Sequence, residues 1–428
     1  MNKQIAIVVS LLITSWLNGC SPARRLSHEL QTKPGYTDHF TGVALYDPVR
    51  KKAIIQHNAD QPFTPASNTK LFSFYAGLLS LPDSLPALRY VVRNDSLIFW
   101  GTGNPLLLHP DVVDTAALAF LRNRPEKLFF SPANYDGPRF GPGWAWDDYS
   151  DDYSPELAAL PIYGNVVRFR NGRISPRQFA DSVLTDGKPA SGVRRLEFSN
   201  QFVHSADRKP LRQDVPFRWS PDLAARLLAD SLHKPVNVLQ LPMPETTRLL
   251  RGAPADSLYK RMLHVSDNQF AEQIPFMIAA ERNKPMLDPD SERNRLIDSV
   301  LHYGSASKGQ FPARWVDGSG LSRYNLFTPN VLIDLLGRIY TKVPQQRLFT
   351  LLPAAGQSGT LRSMAMNGNP YVFAKSGSMT SVYNLSGYVL TQHGKILYFS
   401  IMHNNFTQSV SEMRQRTAEL LKTIHEQF

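Results

Sequence analysis

The sequence predicts an α+β chain in which an antiparallel sheet flanked by helices is split by a β-rich inserted domain. Three observations predict it. A strand-like alternation from Thr41 to Tyr46, broken at Asp47-Pro48 and resumed from Ala53 to Gln56, reads as a hairpin leading into a helix. The order recurs near the C-terminus, where Leu385 to Leu390 and Ile396 to Met402 turn at Gln392-His-Gly-Lys395 and precede a helical run from about Ser409 to His425. Between residues 84 and 241 the texture changes to short strand-like pieces, many prolines and turn signals such as Gly101-Thr-Gly-Asn-Pro105. With 428 residues, 42% of them apolar, the chain can bury sizeable cores.

The elements follow in order. Lys3 precedes an apolar stretch from Ile5 to Leu17, too short for a stable membrane span and placed where a signal peptide's apolar region belongs. Leu17-Asn18-Gly19-Cys20 resembles the lipobox of bacterial lipoproteins, with Asn18 where a small residue or Ser/Thr is usual. Cys20 is the one cysteine, so the chain forms no internal disulfide and its thiol sits where lipidation would consume it. Residues 1–20 are therefore expected to be a lipoprotein signal peptide and 21–38, polar and marked by Pro and Gly, a tether. After Pro65, Leu71, Phe72, Phe74, Tyr75, Leu78 and Leu79 have helical spacing, so Ser67 is expected at a helix N-terminus. A helical pattern returns near Glu245, running to Arg261 and past Ser266 to Ala280. The expected division is 39–83 and 242–428 for the sheet-and-helix domain, with 84–241 inserted.

Three short motifs carry chemistry: Ser67-Asn-Thr-Lys70, Ser266-Asp-Asn268 and Lys375-Ser376-Gly377. Ser-x-x-Lys alone is weak, since Ser231/Lys234, Ser257/Lys260 and Ser305/Lys308 repeat it. Ser67 stands out because residues i and i+3 at a helix start share a face, which sets an amine beside a hydroxyl. Lys234 runs into Pro235, a helix end, and Ser257 and Ser305 open no clear helix. A serine hydroxyl attacks poorly until a base removes its proton, and Lys70 serves if burial and a neighbouring cation, Lys375 above all, drive it toward the neutral amine. Ser266 offers a hydroxyl for proton transfer and Asn268 an amide to hold Lys70 and substrate, while Asp267 reads as a cap. Lys375 and the Ser376 hydroxyl suit a carboxylate, Gly377 permits close approach, and the backbone N–H groups of Ser67 and Ser378 are the natural oxyanion donors.

On these motifs, and on Phe140-Gly-Pro-Gly-Trp-Ala-Trp-Asp-Asp148, Asp317-Gly-Ser-Gly-Leu-Ser-Arg323, Ser358-Gly-Thr-Leu361 and Ala374-Lys-Ser-Gly-Ser378, the chain resembles the class C low-molecular-mass penicillin-binding proteins, the D-alanyl-D-alanine carboxypeptidase/endopeptidase family. The resemblance runs from about Thr41 to the C-terminus. It implies a serine β-lactamase/transpeptidase-like domain in which Ser67 is acylated, Lys70 is its base, Ser266 and Asn268 form the second element and Lys375, Ser376 and Gly377 the third. Ser376 stands where the family usually has Thr, keeping the hydroxyl. The resemblance also matches Asp148 to a family acid that meets the cationic end of the stem peptide's diamino acid. It implies peptidoglycan stem peptides as substrate, β-lactams as covalent inhibitors, no cofactor and no metal. Asp317 to Arg323 reads as a loop lining the site with a packing role.

The long gap between Ser67 and Ser266 leaves room for a whole domain, which argues against a class A β-lactamase, and no Glu-x-x-Leu-Asn follows. No His-Glu-x-x-His, cysteine pair or Gly-x-Ser-x-Gly is present, and the 11 histidines are scattered. The formal charge of +11 suits anionic surroundings, yet no basic run interleaves with aromatics as in a nucleic-acid binder; the longest cluster is Arg50-Lys51-Lys52. A murein-binding protein without turnover and a β-lactamase-like hydrolase are the alternatives. Expected localisation is periplasmic, lipid-anchored at Cys20. Ser21, where some enteric lipoproteins carry an Asp for inner-membrane retention, points to the outer membrane.

Overall fold

The computed structural model describes residues 21–186, 192–205, 212–286, 288–303, 313–366 and 368–428. Segment 1–20, with Cys20 and the expected export signal, and the Ser305/Lys308 pair lie outside the described residues.

Five strands form the first sheet: β1 (Phe40–Asp47), β2 (Lys52–His57), β3 (Val372–Met379), β4 (Val382–Leu390) and β5 (Ile396–Asn404), in the order β3-β4-β5-β1-β2. Every neighbour is antiparallel, and the pairing of Val43 with Ile401 joins the two ends of the chain in one sheet. Around it pack α1 (Pro22–Thr32), α2 (Lys70–Ser80), α3 (Ala255–His264), α4 (Asn268–Glu272), α5 (Pro329–Lys342) and α6 (Val410–Gln427). Because side chains alternate along a strand, Val43 and Leu45 bury against α1 and α6, while Ala44 and Met402 face the core of α2 and α5.

The expected tether is not one. Ser21 caps α1, its hydroxyl accepting from the Arg24 N–H, Pro22 occupies the first turn, and Leu26 and Leu30 bury on the sheet. The segment reads as polar because only a narrow stripe of it is apolar.

The inserted region builds a second core on a five-stranded sheet ordered 236–238, 127–131, 96–101, 84–93 and 248–254, backed by the helix Pro221–Leu232. Two three-stranded sheets join it, one pairing 166–170 with 212–216. This sheet extends past residue 241: Arg248–Pro254, expected as helix, is a strand antiparallel to 84–93. Its Leu249-Leu250 pair fits either period, and the edge of an existing sheet decides the outcome. The helix begins instead at Ala255, so Ser257 and Lys260 both lie on α3, contrary to the expectation that Ser257 opens none; Lys260 is exposed.

Candidate active site

Ser67 lies in a short 3₁₀ turn, Ala66–Thr69, that runs into α2. The apolar side chains Leu71, Phe72 and Phe74 fix that helix in the core, which carries Lys70 with them into a fully buried position. Lys70 Nζ is 2.9 Å from Ser67 Oγ, 2.6 Å from Asn268 Oδ1 and 2.7 Å from the Ser319 carbonyl oxygen. Burial pushes its pKa down to about 8, against the pull of Asp317, Glu272 and Asp267. The sequence-based expectation that Lys375 is the main depressing neighbour is corrected: desolvation is the cause at Lys70, and it is Lys375 whose pKa is driven well below normal by burial and then by the charge on Lys70.

The second motif sits where α3 breaks into α4. Asp267 caps α4, accepting from the Phe270 N–H, and Ser266 takes a φ of 62°. That left-handed backbone is unfavourable for serine and turns the chain so that Ser266 and Asn268 both reach the cleft. Lys375 Nζ donates to Ser266 Oγ at 3.0 Å, and Asn268 Nδ2 donates to the Tyr153 carbonyl at 2.8 Å.

The third motif is on β3, an edge strand. A side chain at Gly377 would stand 2.5 Å from the Pro65 carbonyl and 2.9 Å from the Ser67 nitrogen, so only glycine lets β3 pass the turn carrying Ser67. Ala374 N–H points away from β4, to the Pro353 carbonyl; by alternation the Ser378 N–H faces the same open side, beside Ser67. Ser376 Oγ lies 2.7 Å from Thr360 Oγ1, which gives the Ser358-Gly-Thr-Leu361 block a place at this wall. All three motifs thus meet in one cleft.

Asp148 lies in a half-buried turn at the rim, accepting at 2.9 Å from the Tyr153 hydroxyl. Burial raises its pKa, the hydrogen bond from Tyr153 lowers it, and Asp151 and Asp147 raise it.

Sequence reasoning gave the loop 317–323 only a packing role, yet its Ser319 carbonyl is one of three partners of Lys70. Glu272 holds that loop, accepting from the Gly318 and Ser319 N–H groups at 3.0 and 2.7 Å. Burial, with the charge of Asp317 next, pushes the Glu272 carboxyl well above the usual carboxylate range. Asp317 Oδ2 accepts from Trp144 Nε1 at 3.0 Å, and Arg323 donates to the Thr380 carbonyl at 2.8 Å, closing the loop onto the end of β3.

Also unread was a chain of ion pairs behind Ser266. Arg261 reaches Asp267 (2.9 Å) and Asp111 (3.0 Å); Asp111 accepts two bonds from Arg168 (2.6 and 2.7 Å), which also pairs with Asp214 (2.8 Å). It ties the second motif to the inserted sheets. Among the described residues no group of three or more His, Cys, Asp and Glu could hold a metal ion.

A buried amine beside a half-buried serine, a second hydroxyl bonded to a second amine, and two backbone donors at one point suit acyl transfer through a covalent ester. Comparison with known proteins agrees. The model of the D-Ala-D-Ala carboxypeptidase 3 (S13) family matches residues 23–184 and 225–424. The chain is 24% identical to the D-alanyl-D-alanine carboxypeptidase DacB of Haemophilus influenzae, with 87% of each chain covered. It is 25% identical to a D-alanyl-D-alanine carboxypeptidase of an Actinomadura species, covering 94% of this chain and 87% of that one. The crystal structure of penicillin binding protein 4 from H. influenzae shares the fold, with a TM-score of 0.73 and 22% identity over 94% of this chain and 99% of that one.

Proposed function

The chain belongs to the D-Ala-D-Ala carboxypeptidase 3 (S13) family, and from that premise we propose that this serine D,D-peptidase works through an acyl-enzyme on Ser67. The observation that carries the reading is Lys70 Nζ, buried and 2.9 Å from Ser67 Oγ. Ser67 Oγ attacks the carbonyl carbon of the penultimate D-Ala and its proton passes to the neutral amine of Lys70. The oxyanion is met by the N–H groups of Ser67 and Ser378. As the C–N bond breaks, the leaving amine takes a proton through Ser266, whose hydroxyl Lys375 holds. Asn268 fixes Lys70; Lys375 and Ser376 receive the substrate carboxylate, with Gly377 keeping the approach open. Water then hydrolyses the ester and restores Ser67.

Substrates are the terminal D-Ala-D-Ala bond and D-Ala-diamino acid cross-links of peptidoglycan, with Asp148 meeting the cationic end of the diamino acid. β-Lactams acylate Ser67 and leave a slow ester. The motif at Cys20 and the apolar stretch before it support export to the periplasm and a lipid anchor, with Ser21 favouring the outer membrane. Among the described residues no helix is long and apolar enough to cross a membrane.

Intact mass after incubation with benzylpenicillin tests the reading. One penicilloyl adduct on the wild type and none on Ser67→Ala is the expected result. No adduct and no penicillin hydrolysis would point to a binding protein without turnover, and rapid hydrolysis without an adduct to a β-lactamase.

A further inference from the structure

We propose that the end of the first sheet around the β1–β2 turn docks on an anionic phospholipid surface and holds the Ser67 cleft away from it. Three separate segments bring cations to that end. The β1–β2 turn carries Arg50, Lys51 and Lys52, all exposed. The first turn of α1 carries exposed Arg24 and Arg25, and Arg25 reaches Gln427 in the last turn of α6 at 2.6 Å. That last turn is in turn fixed to the β4–β5 connection, since His425 Nδ1 lies 2.5 Å from the Leu390 carbonyl and Gln392 N–H donates to the His425 carbonyl. Lys342, at the end of α5, lines one groove with Lys51 and Pro48. The turns and helix ends named here contribute one exposed acid, Glu426, and the groove itself holds exposed Asp60 and Asp334, the latter paired with Arg338 at 2.9 Å, so cations still prevail at this end.

At the tip of the β1–β2 turn Val49 is 85% exposed, between Pro48 and Arg50. An aliphatic tip ringed by cations fits a headgroup layer, where the side chain enters the acyl boundary while the amines meet phosphates. A basic patch alone would fit any polyanion; the tip favours lipid.

Chain geometry points the same way. The predicted tether is helix, so only Ser21 separates Cys20 from α1, and its N-terminal turn lies on this end of the sheet. A lipid on Cys20 would therefore hold this end at the bilayer rather than leave it free; that orientation rests on the anchoring reading above, whereas the affinity of the surface does not. The cleft is at the other end: Gly377, against Ser67, pairs with Asn384, which pairs with Met402, roughly six residues or about 20 Å along the strands from the Leu390–Ile396 end. Docked this way, the active site opens toward the wall polymer.

Residues 21–428 contain every core residue described above and serve for the test. Sedimentation with vesicles containing about 30 mol% phosphatidylglycerol, against pure phosphatidylcholine vesicles, should show binding only to the anionic set, lost at about 0.5 M salt. Arg50→Glu/Lys51→Glu/Lys52→Glu should weaken it about a hundredfold or more, at about fivefold per neutralised cation. Val49→Asp should weaken it less, and Arg226→Glu on the distant helix Pro221–Leu232 not at all. Penicillin acylation at the wild-type rate verifies that each variant is folded. No binding to anionic vesicles, equal binding to neutral ones, or unchanged binding by the triple variant overturns the proposal. The anchor is read separately, by whether Cys20→Ser abolishes lipid labelling of the full chain; soluble-form vesicle binding without such labelling would retain the surface and refute the anchor.

Discussion

The cleft and its rim hold charges in opposite ways, although one residue joins them. Tyr153 accepts from Asn268 with its backbone carbonyl, and its single hydroxyl proton is shared between Asp148 (2.9 Å) and Asp151 (3.1 Å). Inside the cleft, Lys70 and Lys375 are fully buried, both amines are aimed at named acceptors, and desolvation is the first cause of their lowered pKa values. At the rim, Asp147, Asp148, Asp151 and Asp152 stand near one another, and no Lys or Arg among the described residues pairs with them. The cleft is a finished network whose parts depend on each other. The rim is an uncompensated negative surface, complete only when a cation arrives. Damage should therefore be large and substrate-independent in the cleft, small and substrate-dependent at the rim.

The largest effect is expected at Lys70. Lys70→Met should lower the rate of penicillin acylation by about 10³-fold, the range for removing a general base. In the wild type the neutral amine is the active form and burial brings its pKa down to about 8. The rate should thus rise with pH through about 8 and then level off. A stopped-flow profile flat from about pH 6.5 to 9 would show that Lys70 is not the titrating base.

Next is the ion-pair chain. Arg261 touches no substrate atom in the mechanism; it positions Ser266 and Asn268 through Asp267. Its loss frees a strained loop, and misplacement of about 1 Å costs about 10²-fold. Arg261→Ala should reduce kcat by about that factor, with little change in KM for small substrates. Asp111→Asn should do the same, and the double variant should be no worse than either alone, because both break one link. Additive losses accompanied by equal falls in Tm would make the chain a stability feature only.

The motifs and most of the first sheet were legible because local signals set them: alternation in β1 and β5, helical spacing after Ser67, an acidic cap before α4. What escaped depends on distant partners. Ser319 acts through a backbone carbonyl, which carries no side-chain signature, and Arg261 matters because Asp111 and Arg168 fold against it. Leu26 and Leu30 did carry a one-turn spacing on α1, outweighed by the surrounding polar residues. The strand 248–254 was misread because its edge partner, 84–93, lies far away in sequence. Cleft geometry was thus readable wherever the motif itself supplied the atoms, and unreadable wherever the fold brought them in.

The smallest effect is expected at Asp148, and it is the one that separates the two regions. The carboxylate is half-buried at a rim with solvent access, so a pair with a substrate ammonium should contribute about 1 kcal/mol at most, or about fivefold in kcat/KM. Asp148→Asn should show that loss on muropeptides with a free amine on the diamino acid, and lose it again when the amine is acetylated. Benzylpenicillin carries no such cation, so its acylation rate should change less than about twofold. If both substrates slow equally, the substitution has acted through Tyr153 on Asn268, and the rim would belong to the cleft's network instead of standing apart from it.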